Sequence, residues 1–262
     1  MGVVGVSDQL LGLPQFLIPK DQLLVGGNVV VSGKEALHLG GARRLRKGHR
    51  VRLADGRGRV AVAEITRVGK TEVILSILEV LAVRSDVIPL TILLSVIRFE
   101  RFDLAISKLS EIGVADIQPV VTERSRLSGS DIKRLDVRVQ RWQGLCFESL
   151  KQSKGFVATM IRRPRCLKEA IGTVTDASCK VALLAEKGGG GLFHTLKKGK
   201  AVFPAALVIG PEGGFSGKEK DLLKEAGFIS AGLGSRILRS ETAAIYGAAV
   251  FSELFACKGE DS

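Results

Sequence analysis

The chain has 262 residues, 45% of them hydrophobic and 25% charged, a length that suits one large domain or two modest ones. No stretch approaches the roughly 18 unbroken apolar residues of a membrane span. Lys and Arg outnumber Asp and Glu by 39 to 27, a net charge of +12, and such an excess points to a polyanionic partner while saying nothing about fold. The four cysteines, Cys146, Cys166, Cys179 and Cys257, form no C-x-x-C pair, and His38, His49 and His194 sit near none of them. That speaks against a zinc site, so no metal is expected, and it fits a reducing compartment.

In chain order, the opening MGVVGVSDQLLGLPQF has neither the basic start nor the long apolar core of a secretory signal, and it is not Arg/Ser-rich like a transit peptide. A cytoplasmic protein is expected, or an organellar one in a eukaryote. Residues 1–84 hold 13 Lys and Arg against 7 acids. Arg43, Arg44, Arg46, Lys47, Arg50, Arg52, Arg57 and Arg59 fall within seventeen positions, with Asp55 the one acid among them. That density favours a nucleic-acid surface over a merely solvated face. Asn28–Ser32, Val51–Ala54, Val60–Ile65 and Val73–Leu78 read as short strands separated by turn residues, the pattern of a small barrel. A short basic helix is expected over 35–46.

From Pro89 the pattern changes. Leu90–Ile97 is a nearly continuous apolar run. Asp103–Ile112 has helical spacing, with Leu104, Ile106, Leu109 and Ile112 inward, and stops at Gly113. Ile117–Val121 reads as a strand and Ile132–Leu150 as a long basic amphipathic helix with Ile132, Leu135, Val139, Trp142, Leu145 and Leu150 inward. Lys180–Ala185, Ala205–Ile209 and Ile229–Leu233 read as strands. A capping box at Ser216–Glu219 starts another helix, and a last helix begins near Ser240. Apolar strands alternating with helices mean a parallel sheet covered on both faces. Two domains are expected, 1–84 and 85–262. Gly188–Gly191 reads as a flexible turn.

The dinucleotide fingerprint G-x-G-x-x-G and the phosphate-loop motif G-x-x-x-x-G-K-[ST] are both absent. Two other loops stand out. Gly210-Pro211-Glu212-Gly213-Gly214-Phe215 follows the strand Ala205–Ile209, and Leu233-Gly234-Ser235-Arg236-Ile237-Leu238-Arg239-Ser240-Glu241-Thr242 follows Ile229–Leu233. In a parallel sheet both belong on the carboxyl edge, where ligands of open α/β sheets bind.

GPEGGFSGKE and LGSRILRSETAA closely resemble the two hallmark segments of the SPOUT-class methyltransferases that make N3-methyluridine in 16S ribosomal RNA. Upstream, Lys108–Val114 resembles the family's K-x-x-E-[LI]-G-V element, Glu123-Arg124-Ser125 its E-R-S, and Arg141-Trp142 with Glu148 and Gln152-Ser153 its R-W…E-A-x-x-Q-S helix. His38, Arg44, Gly48 and Asp55-Gly56 are similar to its N-terminal pattern. The departures are Arg98-Phe99 where the family has K-G, Ser149 for Ala, and Gly155 for Arg. The resemblance implies a PUA-like or OB-like N-terminal barrel, a trefoil-knotted C-terminal α/β domain, a homodimer, and S-adenosylmethionine as cofactor. It also implies the reaction, methyl transfer to N3 of a uridine in small-subunit ribosomal RNA.

N3 of neutral uracil bears a proton and is a poor nucleophile, so a group that stabilises the anion over O2 and O4 is needed. Arg239, at the loop–helix junction, is the first candidate, and pairing with Glu241 or Glu212 is its alternative role. Glu241 is placed in the catalytic set, with loop ordering its favoured task. Leu184, Ala185, Glu186, Gly210, Pro211, Glu212, Gly213, Leu233, Gly234, Ile237 and Leu238 are expected to hold the cofactor. Arg43, Arg44, Arg46, Lys47, Lys108 and Arg124 are expected to hold RNA. Two further functions stay open on the residues alone: a knotted methyltransferase acting on another ribosomal or transfer RNA position, and a non-catalytic assembly factor.

Overall fold

The computed structural model describes residues 12–18, 22–32, 45–82, 87–184, 190–198 and 202–260. They belong to two compact units, Met1–Asp86 with Leu150–Ala158, and Val87–Ser149 with Thr159–Ser262.

The first unit carries β1 (Gln15–Leu17), β2 (Asn28–Ser32), β3 (Arg50–Ala54), β4 (Arg59–Val68) and β5 (Glu72–Ala82) in the order β1-β3-β4-β5-β2. β1 is parallel to β3 and the other pairings are antiparallel. In β2, Val29 and Val31 are buried while Asn28, Val30 and Ser32 are exposed, the alternation of a sheet with one wet face. The Asp55-Gly56 turn holds because Asp55 Oδ1 accepts from the amides of Arg57 at 2.8 Å and Arg59 at 3.1 Å. The short helix expected over 35–46, with Arg43 and Arg44, lies outside the described residues except for Leu45 and Arg46.

The sequence pattern carried no sign that Leu150–Ala158 belongs with these strands. Gln15 Nε2 donates to the Gly155 carbonyl at 2.9 Å, the Gly58 amide donates to Phe156 O at 3.2 Å, and the Ala158 amide donates to Gly56 O at 2.9 Å. Arg52 corrects the reading of the basic run as one surface. It is fully buried, with Nη2 donating to Lys154 O at 3.2 Å and its guanidinium 5.1 Å from the Phe156 ring centroid. A strand alternates its faces, so a charge in β3 points inward wherever the register demands it.

The second unit is a parallel sheet. Its elements are β6 (Ile88–Ser95), α1 (Phe99–Ile112), β7 (Val114–Val121), α2 (Gly129–Ser153, whose last turn from Leu150 belongs to the first unit), β8 (Met160–Ile161), β9 (Arg165–Cys166), α3 (Leu167–Gly172), β10 (Cys179–Leu183), α4 (Leu192–Lys198), β11 (Ala205–Ile209), α5 (Gly217–Glu225), β12 (Ile229–Ala231) and α6 (Ser240–Glu260). The strand order is β12-β10-β11-β6-β7-β8, with β9 also on β7. Every residue of β11 is buried, as expected of a strand covered on both faces. Leu90, Ile92 and Leu94 share one cluster with Phe102, Trp142, Ala244 and Phe251, while Leu93 and Val208 share another with Ala170 and Leu223.

Leu104 and Ile132, expected inward, are 48% and 49% exposed. α1 packs through Phe102, Ala105, Ile106 and Leu109, a stripe that Leu104 falls beside, and Ile132 precedes Leu135, where the buried stripe of α2 begins. α6 lies tight on the sheet because Gly247 lacks a side chain. A Cβ there would meet Leu207 Cδ2 at 2.6 Å and Leu183 Cδ1 at 3.2 Å. Among the described residues no helix is long and apolar enough to cross a membrane.

Candidate functional site

Leu183 of β10 is level with Ile209 of β11 and Ala231 of β12. The two loops therefore leave the same edge on either side of β10. Leu184 lies between them, half-buried, its amide donating to Ala231 O at 3.1 Å. Ala185 and Glu186 lie outside the described residues.

The loop after β11 is held from several directions. The Gly214 amide donates to Pro211 O at 2.8 Å, and Gly214 has φ +67°, which a side chain would strain. Phe215 is buried under Gly210, where a Cβ would meet its ring at 3.1 Å. Arg124 Nη1 donates to Gly213 O at 2.8 Å, and Ser240 Oγ, at the start of α6, donates to Gly210 O at 2.7 Å. Glu219 does more than its capping box required. One oxygen accepts from the Ser216 amide and the other from the Glu123 amide, both at 2.9 Å, so a buried carboxylate ties the E-R-S turn to this loop.

The loop after β12 is open. Gly234 has φ +98°, and Gly234, Ser235, Arg236 and Ile237 are exposed, Ile237 at 84%. Leu233 and Leu238 are half-buried against the core and anchor its two ends. The second half of the glycine tract is fixed here: Gly191 pairs with Gly232, and the Gly232 amide donates to Gly190 O at 3.1 Å.

The charges sort differently from expectation. Arg239 is exposed, and its side chain has no hydrogen bond or ion pair among the described residues. The partner of the two glutamates is Arg101, in the first turn of α1. Its Nη1 lies 2.9 Å from Glu212 Oε1 and its Nε lies 3.8 Å from Glu241 Oε1. Glu241 is buried, and its Oε2 has no hydrogen-bond partner. Reading the sequence missed Arg101. Its one signal was position, just after β6, whose carboxyl end lies on the edge that carries both loops.

The remaining predicted residues are spread out. Lys108 binds Glu111 Oε1 at 2.8 Å, about 10 Å further along α1 than Arg101. Arg46 and Lys47 are exposed in the strand unit, beside β3. Arg141 and Trp142 share one acid, donating to Asp103 at 2.7 Å and 2.9 Å. Ser149 makes use of its departure from Ala, its hydroxyl lying 3.0 Å from that of Ser107. Burial pushes the Cys146 thiol up to about 11, so it is an inert core group at neutral pH.

This edge fits a bound small molecule that needs close backbone approach. The glycines leave room, two have positive φ, Ile237 offers bare apolar surface, and Glu241 Oε2 is a buried acceptor awaiting a donor. A separate cavity of about 270 Å³ lies at the amino ends of β10 and β12, lined by Ser178, Lys180, Leu196 and Ile229 among others, away from both loops. Among the described residues no cluster of three or more His, Cys, Asp or Glu is placed to hold a metal ion.

An RNA methyltransferase PUA domain model matches residues 31–78, and an RNA methyltransferase domain model matches residues 84–252. The chain is 28% identical over 233 residues to ribosomal RNA small subunit methyltransferase E of Mycobacterium bovis, covering 84% of each chain. It is 25% identical over 236 residues to ribosomal RNA small subunit methyltransferase E 2 of Borreliella burgdorferi, covering 89% of this chain and 95% of that one. The crystal structure of a ribosomal RNA small subunit methyltransferase E from Neisseria gonorrhoeae bound to S-adenosyl methionine superposes with a TM-score of 0.77 at 28% identity, covering 92% of this chain and 98% of that one. The α/β unit therefore has the SPOUT-class fold and the strand unit is PUA-like, and the chain belongs to the RNA methyltransferase family that joins a PUA domain to a methyltransferase domain.

Proposed function

We propose that this protein methylates N3 of a uridine in small-subunit ribosomal RNA, with S-adenosylmethionine as donor, as a cytoplasmic homodimer. The observation that carries the reading is the Ser240–Gly210 hydrogen bond of 2.7 Å, which brings the GPEGGF and ILRSET segments into one site. When bound, S-adenosylmethionine supplies a methyl group already activated by its sulfonium leaving group. The chain need only bind, orient and shift a proton. Gly210, Pro211, Glu212 and Gly213 form the anchored wall of the cofactor site, Leu184 its floor, and Leu233, Gly234, Ile237 and Leu238 the open wall, with Ile237 turning from solvent onto the ligand. Ala185 and Glu186, next to Leu184 in sequence, are assigned to the same cofactor.

Arg239 is the group for the uracil. An arginine without a carboxylate partner stabilises the N3 anion spread over O2 and O4, which lowers the cost of losing the proton. Glu241, buried and beside Arg101, orders the loop and the start of α6 and keeps its charge away from the base. The strand unit supplies RNA affinity through its exposed cations Arg46 and Lys47, with Arg43 and Arg44 of the same basic run assigned the same task, and Arg124 and Lys108 are RNA contacts of the α/β unit. The apolar character of α6 around much of its circumference suits a helix that is also buried in a dimer.

Mass mapping of modified nucleosides in small-subunit ribosomal RNA, from cells with and without this protein, tests the reading. One N3-methyluridine should vanish with the gene and return on adding protein and S-adenosylmethionine. A full complement of N3-methyluridine in the deletion strain would sink it.

A further inference from the structure

The arginine of greatest interest for chemistry shares its two segments with two acids and pairs with neither. Ser240 Oγ donates to Gly210 O at 2.7 Å, which joins the segment that carries Arg239 and Glu241 to the loop that carries Glu212. Glu241 is two residues from Arg239 in the chain. A carboxylate with no other cation would offer an arginine on these segments a charge-assisted hydrogen bond, the strongest contact available to it. Yet Arg239 is exposed and without a side-chain partner among the described residues. Arg101 occupies both acids instead, at 2.9 Å from Glu212 and 3.8 Å from Glu241.

We infer that Arg101 is a positioning residue that sequesters Glu212 and Glu241 and so leaves Arg239 free for the substrate. Arg101 enters from α1, an element separate from both loops, and reaches the two acids with different nitrogens of one guanidinium. A fork of fixed geometry can hold two carboxylates that a single ammonium holds less well. The Arg101–Glu212 pair is about one-third exposed on each side and so contributes little stability. Its consequence lies in what it denies to Arg239. The inference deepens the reading of Arg239 as the uracil-facing group and depends on it.

The test is second-site rescue. Methyl transfer to small subunits lacking the modification is compared for the full-length wild type, Arg101→Met, Glu212→Gln, the double variant, and Arg239→Ala, with S-adenosylhomocysteine titrated calorimetrically against each. Arg101→Met should lower kcat at least about tenfold, the scale of one charge-assisted hydrogen bond. Adding Glu212→Gln, which removes the acid released to compete for Arg239, should restore much of that kcat at saturating S-adenosylmethionine, whatever Glu212→Gln alone costs in cofactor affinity. A residue that merely holds the fold would not be rescued by losing a further partner. Arg101→Lys keeps the charge and should show a smaller loss that Glu212→Gln again relieves, which preserves the test if Arg101→Met does not fold. Full activity of Arg101→Met, or a loss that Glu212→Gln leaves unchanged in both variants, overturns the inference. Failure of the wild type to bind S-adenosylhomocysteine, or full activity of Arg239→Ala, instead brings down the functional reading beneath it.

Discussion

The two glycine-bearing loops at the carboxyl edge of the sheet are neighbours with opposite mechanical characters. The loop after β11 is pinned by Arg124, by Ser240, by its own Gly214–Pro211 turn and by the burial of Phe215. The loop after β12 leaves four consecutive residues exposed. The difference teaches a division of labour. A wall that is already ordered costs no entropy when a ligand arrives, whereas an open wall must be ordered on binding and can then exclude water. The open loop also leads to Arg239, so closing it would bring in the group proposed to act on the base.

The largest effect expected of this contrast is in catalysis. Arg239→Ala should reduce methyl transfer by roughly a hundredfold or more, the scale of losing one transition-state-stabilising donor, with S-adenosylhomocysteine affinity nearly intact. A folded variant that no longer binds S-adenosylhomocysteine would make Arg239 part of the cofactor wall instead. Next comes the anchored loop. Gly210→Val drives a branched side chain onto the Phe215 ring, 3.1 Å from where the Cβ would sit. Denaturant titration should show a stability loss of about 1–3 kcal/mol, and calorimetry a clear fall in affinity. Gly234→Ala meets nothing within 4 Å but keeps φ +98°, so about 1 kcal/mol of backbone strain is expected. Should Gly234→Ala prove the costlier of the two, the anchored-versus-open distinction is mistaken.

Ile237→Ser probes the open loop with a smaller effect. At 84% exposure the change should leave unfolding stability within about 0.5 kcal/mol yet weaken S-adenosylhomocysteine binding. Hydrogen exchange on the wild type should show new protection over 234–238 on adding the ligand and little change over 211–215. Equal gains in both segments would erase the contrast. The smallest effect on the site itself is expected from the strand unit. Replacing Arg46, Lys47 and Arg50 by Gln should flatten the salt dependence of RNA binding by a slope of roughly 2 and leave S-adenosylhomocysteine affinity unchanged. An unaltered slope would reduce those cations to a solvated face.

Much of this was legible because it is local. Continuous apolar runs marked β6, β10 and β11, the S-x-x-E pattern marked the start of α5, and the loop segments resembled a known family closely enough to name the chemistry. What was missed depends on residues far apart in the chain. Arg52 counted as one more surface cation until the register of β3 turned it inward onto Phe156. Glu219 was readable as a cap but not as the acceptor of the Glu123 amide, 96 residues away. Leu150–Ala158 gave no hint that it joins the strand unit.

The sequence by itself determined the balance of charge, the periods of burial that make strands and helices, and the identity of the two loops, since each rests on residues adjacent or nearly adjacent in the chain. Only the tertiary structure decided which charges meet. Arg101 stands 111 residues before Glu212 and 140 before Glu241, and nothing in its local sequence distinguishes it from the chain's other arginines. Pairing of long flexible side chains depends on where the sheet order places their backbones, and on which cation can reach a given carboxylate with the better geometry. Strand order β12-β10-β11-β6 sets that, and no local pattern encodes it.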